Sequence, residues 1–447
     1  MKSLKNAFRN LFRYPTAILG LIIIIFLLGL AVYALVTIPY SEAVRLWRGG
    51  EEVWYQNPKY AAPSWFNLFT SKKEPVSFKV DTADGSLPKT ITPNDQDIST
   101  VDISYSFDYT YDGFPQEMIL YFTPIIKEKF PFVSIAWKTP DGRSIRIADT
   151  VVQHNAAFRF SQDQKLQTRL KTENVMQALF ADPKAETPTP LKGTYQLVIT
   201  GTTFEKDSDL GVQFVFHGKL FGLAGTDLYR RDLLLPLLYG TPIALAFGLI
   251  AAFGTSFLTM IISAIGTWYG GWVDQLIQRI TEVNLVLPFL AILIMVGTFY
   301  SRSIWLMLGL SIALSIFSGS IKTYRAMFVQ SKEASYIEAA RAYGASNTRI
   351  IFSYLVPRMI PLLIPTLVSS VPSFVFLEAS LAVLGLGDPV LPTWGKVIND
   401  AFGDGALYQG RYYWVLEPAI LLMITGFGFA LLGFALDRIF NPRLRDV

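Results

Sequence analysis

From Thr16 to Ile38 the chain runs 23 residues without a charge. Wound as a helix, that run is about 34 Å long and covers a bilayer core of about 30 Å. A secretory signal peptide shares the basic start, here Lys2, Lys5, Arg9 and Arg13. Its apolar region is only about 7–15 residues, however, and an A-x-A-like cleavage site follows it. The run here is longer and no good site follows, which favours a retained membrane anchor.

Composition places the rest of the chain on either side of that anchor. The 447 residues carry 17% charge and a net of +4, against about 25% charge in soluble domains. The average hides two populations. Residues 39–225 hold 20 Lys+Arg and 22 Asp+Glu, near the soluble norm, whereas the other 260 residues hold 19 and 13. The charge-poor part reads as membrane. So even a balance argues against a nucleic-acid partner. With no cysteine there are no disulfides, thiolate metal sites or cysteine nucleophiles. His154 and His217 stand too far apart in sequence to suggest a histidine site, and both read as ordinary strand or loop residues.

Five further spans are expected, at Thr241–Trp268, Leu276–Tyr300, Ile304–Tyr324, Met359–Leu384 and Trp414–Leu436, with Gly270-Gly271 as the turn between two of them. Pro288, Pro361, Pro365 and Pro372 are tolerable in a bundle whose neighbours re-satisfy the backbone. Trp268, Trp272, Trp305 and Trp414 fall near span ends, where indoles prefer the headgroup zone. The first 15 residues carry four positive charges and no acid, which places the N-terminus in the cytoplasm. Six spans return the C-terminus, with Arg438, Arg443 and Arg445, to that side. Segment 322–358, with six basic residues against Glu333 and Glu338, then falls inside, and 39–225 outside.

The outer block reads as β-rich. Val101–Tyr111 alternates as a half-buried strand does. Phe132–Trp137 and Ser144–Ile147 flank the turn signal Pro140-Asp141-Gly142. Gly193–Gly201 and Val212–Leu220 read as the last strands, and 155–180 as one helix. Short strands with turns between them predict a sandwich. Asn94–Asp97 and Glu205–Asp209 place acidic oxygens at alternate positions, but neither has both the turn glycine and the distal glutamate of a calcium loop. A solvated acidic loop is the plainer reading.

The most informative stretch is Lys332–Pro361. Residues 332–343 favour helix, with Tyr336, Ala339/Ala340 and Tyr343 on one face. Gly344 permits a left-handed helix end, Ser346 or Asn347 can cap a second short helix, and that helix is expected to stop before Pro357. A helix–turn–helix with an exposed pair of small residues suits a groove on another protein. An amphipathic interfacial hairpin without a partner is the bland alternative.

Glu338-Ala339-Ala340, three residues, Gly344 and then Pro357 thirteen further on resemble the "EAA" loop of bacterial ABC importer permeases. Within them the chain is similar to the C-type subunit of dipeptide/oligopeptide/nickel transporters. Further matching segments are Gly225-Thr226-Asp227 with Arg231-Asp232, Leu238-Tyr239-Gly240, Tyr269–Asp274, Glu378-Ala379-Ser380-Leu381, Leu384–Gly387, Thr393-Trp394-Gly395 and Asn441–Arg445. The resemblance covers 222–447 strongly and 1–38 weakly. It departs at Tyr354 and Val356, at Arg230, where the family usually has glycine, and over 39–225, far longer than the family's usual first outer loop.

The resemblance implies a six-helix α-helical membrane protein with a MetI-like permease core. Residues 1–38 would form the N-terminus and first span, 39–225 an inserted β-rich, sandwich-like domain, and 226–447 a five-helix core with a cytoplasmic coupling loop at 325–358. It implies a permease subunit of an ATP-driven importer of peptides or similar solutes in the cell membrane. Its partners would be a second permease, two ABC ATPase subunits and an extracytoplasmic solute-binding protein. ATP and Mg would bind to the ATPases, since this chain has no phosphate loop. Glu338 would contact the ATPase, Ala339 and Ala340 would allow close approach, and Gly344 and Pro357 would shape the loop. Glu378 is a candidate for the translocation path or for an interhelical hydrogen bond, and Glu282 for a structural role at the cytoplasmic border. The competing class is a membrane-anchored surface-binding protein whose β domain is the working part. An embedded hydrolase lacks a G-x-S-x-G elbow, a histidine pair and cysteine.

Overall fold

The computed structural model describes residues 14–440, except Gln96. The basic residues of the first 13 positions, the Asn441–Arg445 segment and part of the Asn94–Asp97 loop lie outside the described residues. The chain divides into two compact units, residues 1–48 with 235–447, and residues 49–234. These edges fall later than the 39 and 225 expected from charge. The reason at the first edge is an amphipathic helix, Tyr40–Arg48, which buries Ala43 and Trp47 and belongs with the apolar unit.

The apolar unit is helical. Among the described residues, four helices are long and apolar enough to cross a membrane: Pro15–Thr37, Leu234–Tyr269, Asn347–Leu386 with a kink at Gly385, and Tyr413–Phe440. Two of the expected straight spans are instead bent pairs. Gly271–Val286 meets Phe289–Phe299 at 76°, and Ile304–Ile316 meets Gly319–Lys332 at 48°. The first break follows from Pro288, which drives Leu287 into extended geometry (ψ 133°) and ends the helix. The second falls at Phe317-Ser318-Gly319, with Ser318 extended, where serine and glycine hold a helix poorly.

Each break frees backbone carbonyls that a bilayer cannot hydrate. The Asn284 amide donates to Leu314 O at 2.8 Å and Phe317 O at 3.0 Å, tying one break to the other. Thr259 donates to Ile316 O and Ser263 to Ile321 O. By contrast, Pro242, Pro361, Pro365, Pro372 and Pro418 all lie inside unbroken helices.

The second unit is β-rich. Its strands are β1 Phe78–Asp81, β2 Lys89–Asp95, β3 Ile98–Tyr109, β4 Glu117–Ile125, β5 Phe132–Lys138, β6 Ser144–Val151, β7 Ala156–Arg159, β8 Gly193–Thr203 and β9 Asp209–His217. They form antiparallel sheets of order β1-β9-β4-β7 and β2-β3-β8-β5-β6. Alternate residues of both sheets share one buried core, including Val101, Ile103, Leu120, Trp137, Tyr195 and Phe214. That is the layering of a sandwich. The β5–β6 turn forms at Gly142 (φ 87°), whose amide donates to Thr139 O.

Residues 155–180 are not one helix. They form β7, then the helices Gln164–Leu170 and Val175–Phe180. Asp163 and Asn174 each cap a start by accepting a backbone N–H, and left-handed Lys171 ends the first helix. Local capping by short polar side chains thus divides a stretch whose apolar spacing reads as continuous.

The Glu205–Asp209 loop is open to solvent as expected, with Lys206 and Asp207 exposed, but Glu205 is engaged within it. Its carboxylate accepts the backbone N–H groups of Lys127, Glu128 and Lys129, which hold it below the ordinary glutamate range. Asp209 pairs with Lys89 at 2.7 Å. Both acids are committed to joining segments of the fold.

His217 is buried at the end of β9, and its Nε2 meets Gln56 O at 2.9 Å. Burial pushes its pKa down to about 4, so the folded unit holds it neutral while the unfolded chain protonates near 6.5. The unfolded state therefore binds more protons between these values, and stability falls with pH through that window. The contribution lost between pH 6.5 and 4 is about 3 kcal/mol. A urea titration of the full chain, followed by protease cleavage in the β unit, should show this loss. His217→Gln should flatten it, and an equally steep acid limb in that variant would contradict the assignment.

Candidate functional site

The loop built from Lys332 to Pro357 hangs on the end of another helix. Leu234–Tyr269 finishes with carbonyls that have no intrahelical donor. The Lys332 ammonium donates to two of them, Thr267 O and Trp268 O, each at 3.1 Å. The Arg341 guanidinium stacks 4.4 Å from the Trp268 ring centre. Nearby, Arg325 forms a two-pronged pair with Asp274 at 2.6–2.9 Å. Trp268 is thus more than an interfacial anchor: it is the seat of the loop.

Between these anchors lies the short helix Ser335–Ala342. Its inward face is Ile337, packed into a core with Trp268, Phe328, Ile350 and Leu355 and with Tyr336 partly buried beside it, together with the buried Ala340. The single face expected for Tyr336, Ala339/Ala340 and Tyr343 therefore divides. Ala340 is 7% exposed and serves packing within the chain, while Tyr343 is 92% exposed. Glu338 and Ala339 lie on the open side with Ala342. The reason is Ile337, which has no polar atom and so buries fully without a hydrogen-bond partner, whereas each tyrosine carries a hydroxyl.

The helix ends in a Schellman turn. Gly344 has φ 77°, its amide donates to Arg341 O, and the Ala345 amide donates to Ala340 O. Ser346 then accepts the Arg349 N–H and starts the next helix. That helix does not stop before Pro357. Asn347–Arg349 passes into a π-helical stretch, Ile350–Leu355, and on through Val356–Leu381. The wider π turn shifts the carbonyls that the proline ring would strike, and Pro357 needs no donor in the first turn of the following α segment. Tyr354 and Val356, where the chain departs from the family pattern, both pack in the apolar core under the loop.

Glu378 is buried, and its carboxyl meets the Thr393 hydroxyl. Thr393 also caps the helix Trp394–Gly403 by accepting Lys396 N–H. The segments Leu238–Gly240, Glu378–Leu381 and Thr393–Gly395 thus meet in one place. The Trp394 indole donates to Leu237 O at 3.0 Å, over Gly240, where a methyl group would come within 2.6 Å of the ring. A side chain on Gly395 would likewise strike the Ala379 backbone at 2.6 Å. Glu378 therefore ties helix to helix. Glu282 pairs with Arg279 one turn away in its own helix. Arg230, where the family usually has glycine, takes a left-handed φ of 63°. Its guanidinium donates to Asn57 O, and the Asn57 amide returns a bond to Arg230 O, which offsets a cost of about 1–2 kcal/mol.

Sequence reasoning missed Lys332, Arg341 and Asn284 as structural partners. A lysine and an arginine nine residues apart across an expected helix were the available signal for the first two. No local pattern marks Asn284.

Comparison with known proteins bears on this arrangement. Residues 244–446 match the family described as "Binding-protein-dependent transport system inner membrane component". The dipeptide transport system permease protein DppC of Bacillus subtilis (strain 168) is 28% identical over 222 residues, 49% of this chain and 68% of that protein. The oligopeptide transport system permease protein OppC of the same organism is 28% identical over 222 residues, 49% of this chain and 72% of that protein. A putative peptide transport system permease protein of Brucella suis is 31% identical over 229 residues, 50% of this chain and 74% of that protein. The matched family segment begins after the β unit ends.

At Gly344, alanine would have to hold the left-handed geometry at a cost of about 1 kcal/mol. Gly344→Ala should therefore speed hydrogen exchange of the Ser335–Ala342 amides by about fivefold. Unchanged protection in lipid nanodiscs would show that the turn does not hold the helix.

Proposed function

Since this chain belongs to the binding-protein-dependent transport system inner membrane components, we propose that it forms half of the translocation path of an ATP-driven importer for peptides or similar small solutes. It is a permease subunit and a multi-pass membrane protein. The observation that carries the coupling role is the division of the Ser335–Ala342 helix. Glu338, Ala339 and Tyr343 are open to a partner, while Ile337 and Ala340 are locked into the core beneath. Glu338 supplies a polar or ionic contact to an ATPase subunit, and Ala339 permits its close approach.

Force on that helix passes to the spans through Lys332 and Arg341 on Trp268, and through the helix from Asn347 to Leu386. A second permease, two ATPases carrying ATP and Mg, and a solute-binding protein complete the machine. The loop and both termini lie in the cytoplasm, and the β unit lies outside as a dock or lid for the binding protein.

Glu338→Lys or Ala339→Trp should lower ATP-driven uptake at least tenfold and release the ATPases on purification, while the paired permeases remain in the membrane. Normal uptake in both variants would refute the coupling role. Replacing 49–234 by a short linker should weaken capture of the solute-binding protein at least tenfold, and unaltered affinity would remove the docking role.

A further inference from the structure

The two helix breaks border an open-sided cavity of about 430 Å³. Eleven of its sixteen lining residues carry a hydroxyl or amide, and none carries a charge. Thr255 and Thr259 come from Leu234–Tyr269, Asn284 and Ser318 from the two breaks, and Ser370 and Ser373 from the long proline-rich helix. Thr366, Ser370 and Ser373 follow at spacings of four and three, so one helix face is a hydroxyl stripe.

Several of these groups are committed to the scaffold. Asn284 and Thr259 cap freed carbonyls, and Ser370 donates to Leu367 O at 2.8 Å. Two are not. The Thr255 hydroxyl is buried with no hydrogen-bond partner, and the Tyr324 hydroxyl, on a residue only 5% exposed, points toward Thr366 without closing a bond. A buried hydroxyl left unpaired costs about 1–3 kcal/mol. The nine other polar side chains in addition to these would be an expensive wall for a void that only lipid or packing filled.

We infer that this cavity holds the solute between the spans, and that the solute presents uncharged hydrogen-bonding groups to it. This rests on the importer reading. Peptide-bond amides and sugar hydroxyls share that chemistry. Hydroxyl and carboxamide side chains donate and accept, so they exchange partners as a neutral polar solute moves past them. A charged group would find no counter-ion here and would face a desolvation penalty without compensation. Broken helices elsewhere in membranes mark places where irregular backbone lines a cavity.

The chain has no cysteine, so single thiols report cleanly. Ser370→Cys and Thr255→Cys are introduced in the assembled transporter, with Tyr408→Cys, 95% exposed, as the surface reference. Reaction with neutral hydroxyethyl methanethiosulfonate is compared with its sulfonatoethyl and trimethylammonium-ethyl counterparts. After normalisation to the reference thiol, the neutral reagent should react at least tenfold faster than either charged one. The rate should also differ between ATP-free and ATP-bound states. N-acetyl-trialanine amide, which presents peptide amides without a charge, and maltotriose serve as protecting probes, and protection by one of them identifies amides or hydroxyls as the partner chemistry.

Thiols that react in no nucleotide state, charged reagents that react as fast as the neutral one, or reactive thiols that neither probe protects would each overturn the inference. Failure of the importer reading looks different, because no second permease or ATPase would then co-purify.

Discussion

A backbone carbonyl inside a bilayer has no water to turn to, and the apolar unit is organised around that constraint. Where the chain bends, a named side chain closes the account. Asn284 and Thr259 satisfy the second break, and Lys332 satisfies the end of Leu234–Tyr269. At Pro357 the helix passes without a break by widening over Ile350–Leu355.

The same constraint stiffens the Lys332–Pro357 loop. A short helix on a membrane protein's edge would flex if only apolar contacts held it. Here Lys332 before it and Arg341 in its last turn fasten it to Trp268, and a Schellman turn then leads into the helix that runs on from Asn347 through Leu381. Displacing the Ser335–Ala342 helix means displacing the ends of two spans. The cavity at the two breaks lies between those spans, which is where a displacement would open or close a path.

The β unit reaches stability by other means. Without disulfides it relies on a single core between two sheets, built largely of large aromatics such as Trp137, Tyr195 and Phe214, and about 190 residues suffice for that. Its acidic residues serve as internal ties, with Glu205 gathering three amides and Asp209 holding Lys89. Left-handed Arg230, close to the start of Leu234–Tyr269, shows a different solution to a turn: glycine's freedom is replaced by two hydrogen bonds to Asn57.

Sequence alone determined the properties that depend on composition and on near neighbours. The apolar runs, the turn at Gly270-Gly271, the β alternation, the left-handed stop at Gly344 and the cap at Ser346 are all readable within a few residues, because chain sterics and local hydrogen bonds decide them. The long EAA-type spacing was legible for the same reason. Tertiary structure decided the rest. Which face of Ser335–Ala342 turns inward depended on Ile337 finding the core next to Trp268. Whether the helix runs on through Pro357, against the expected stop, depended on the π turn that precedes it. Glu378 became a tie to Thr393 because distant segments meet there. Each of these outcomes is a competition between partners remote in sequence, and only the folded chain sets their distances.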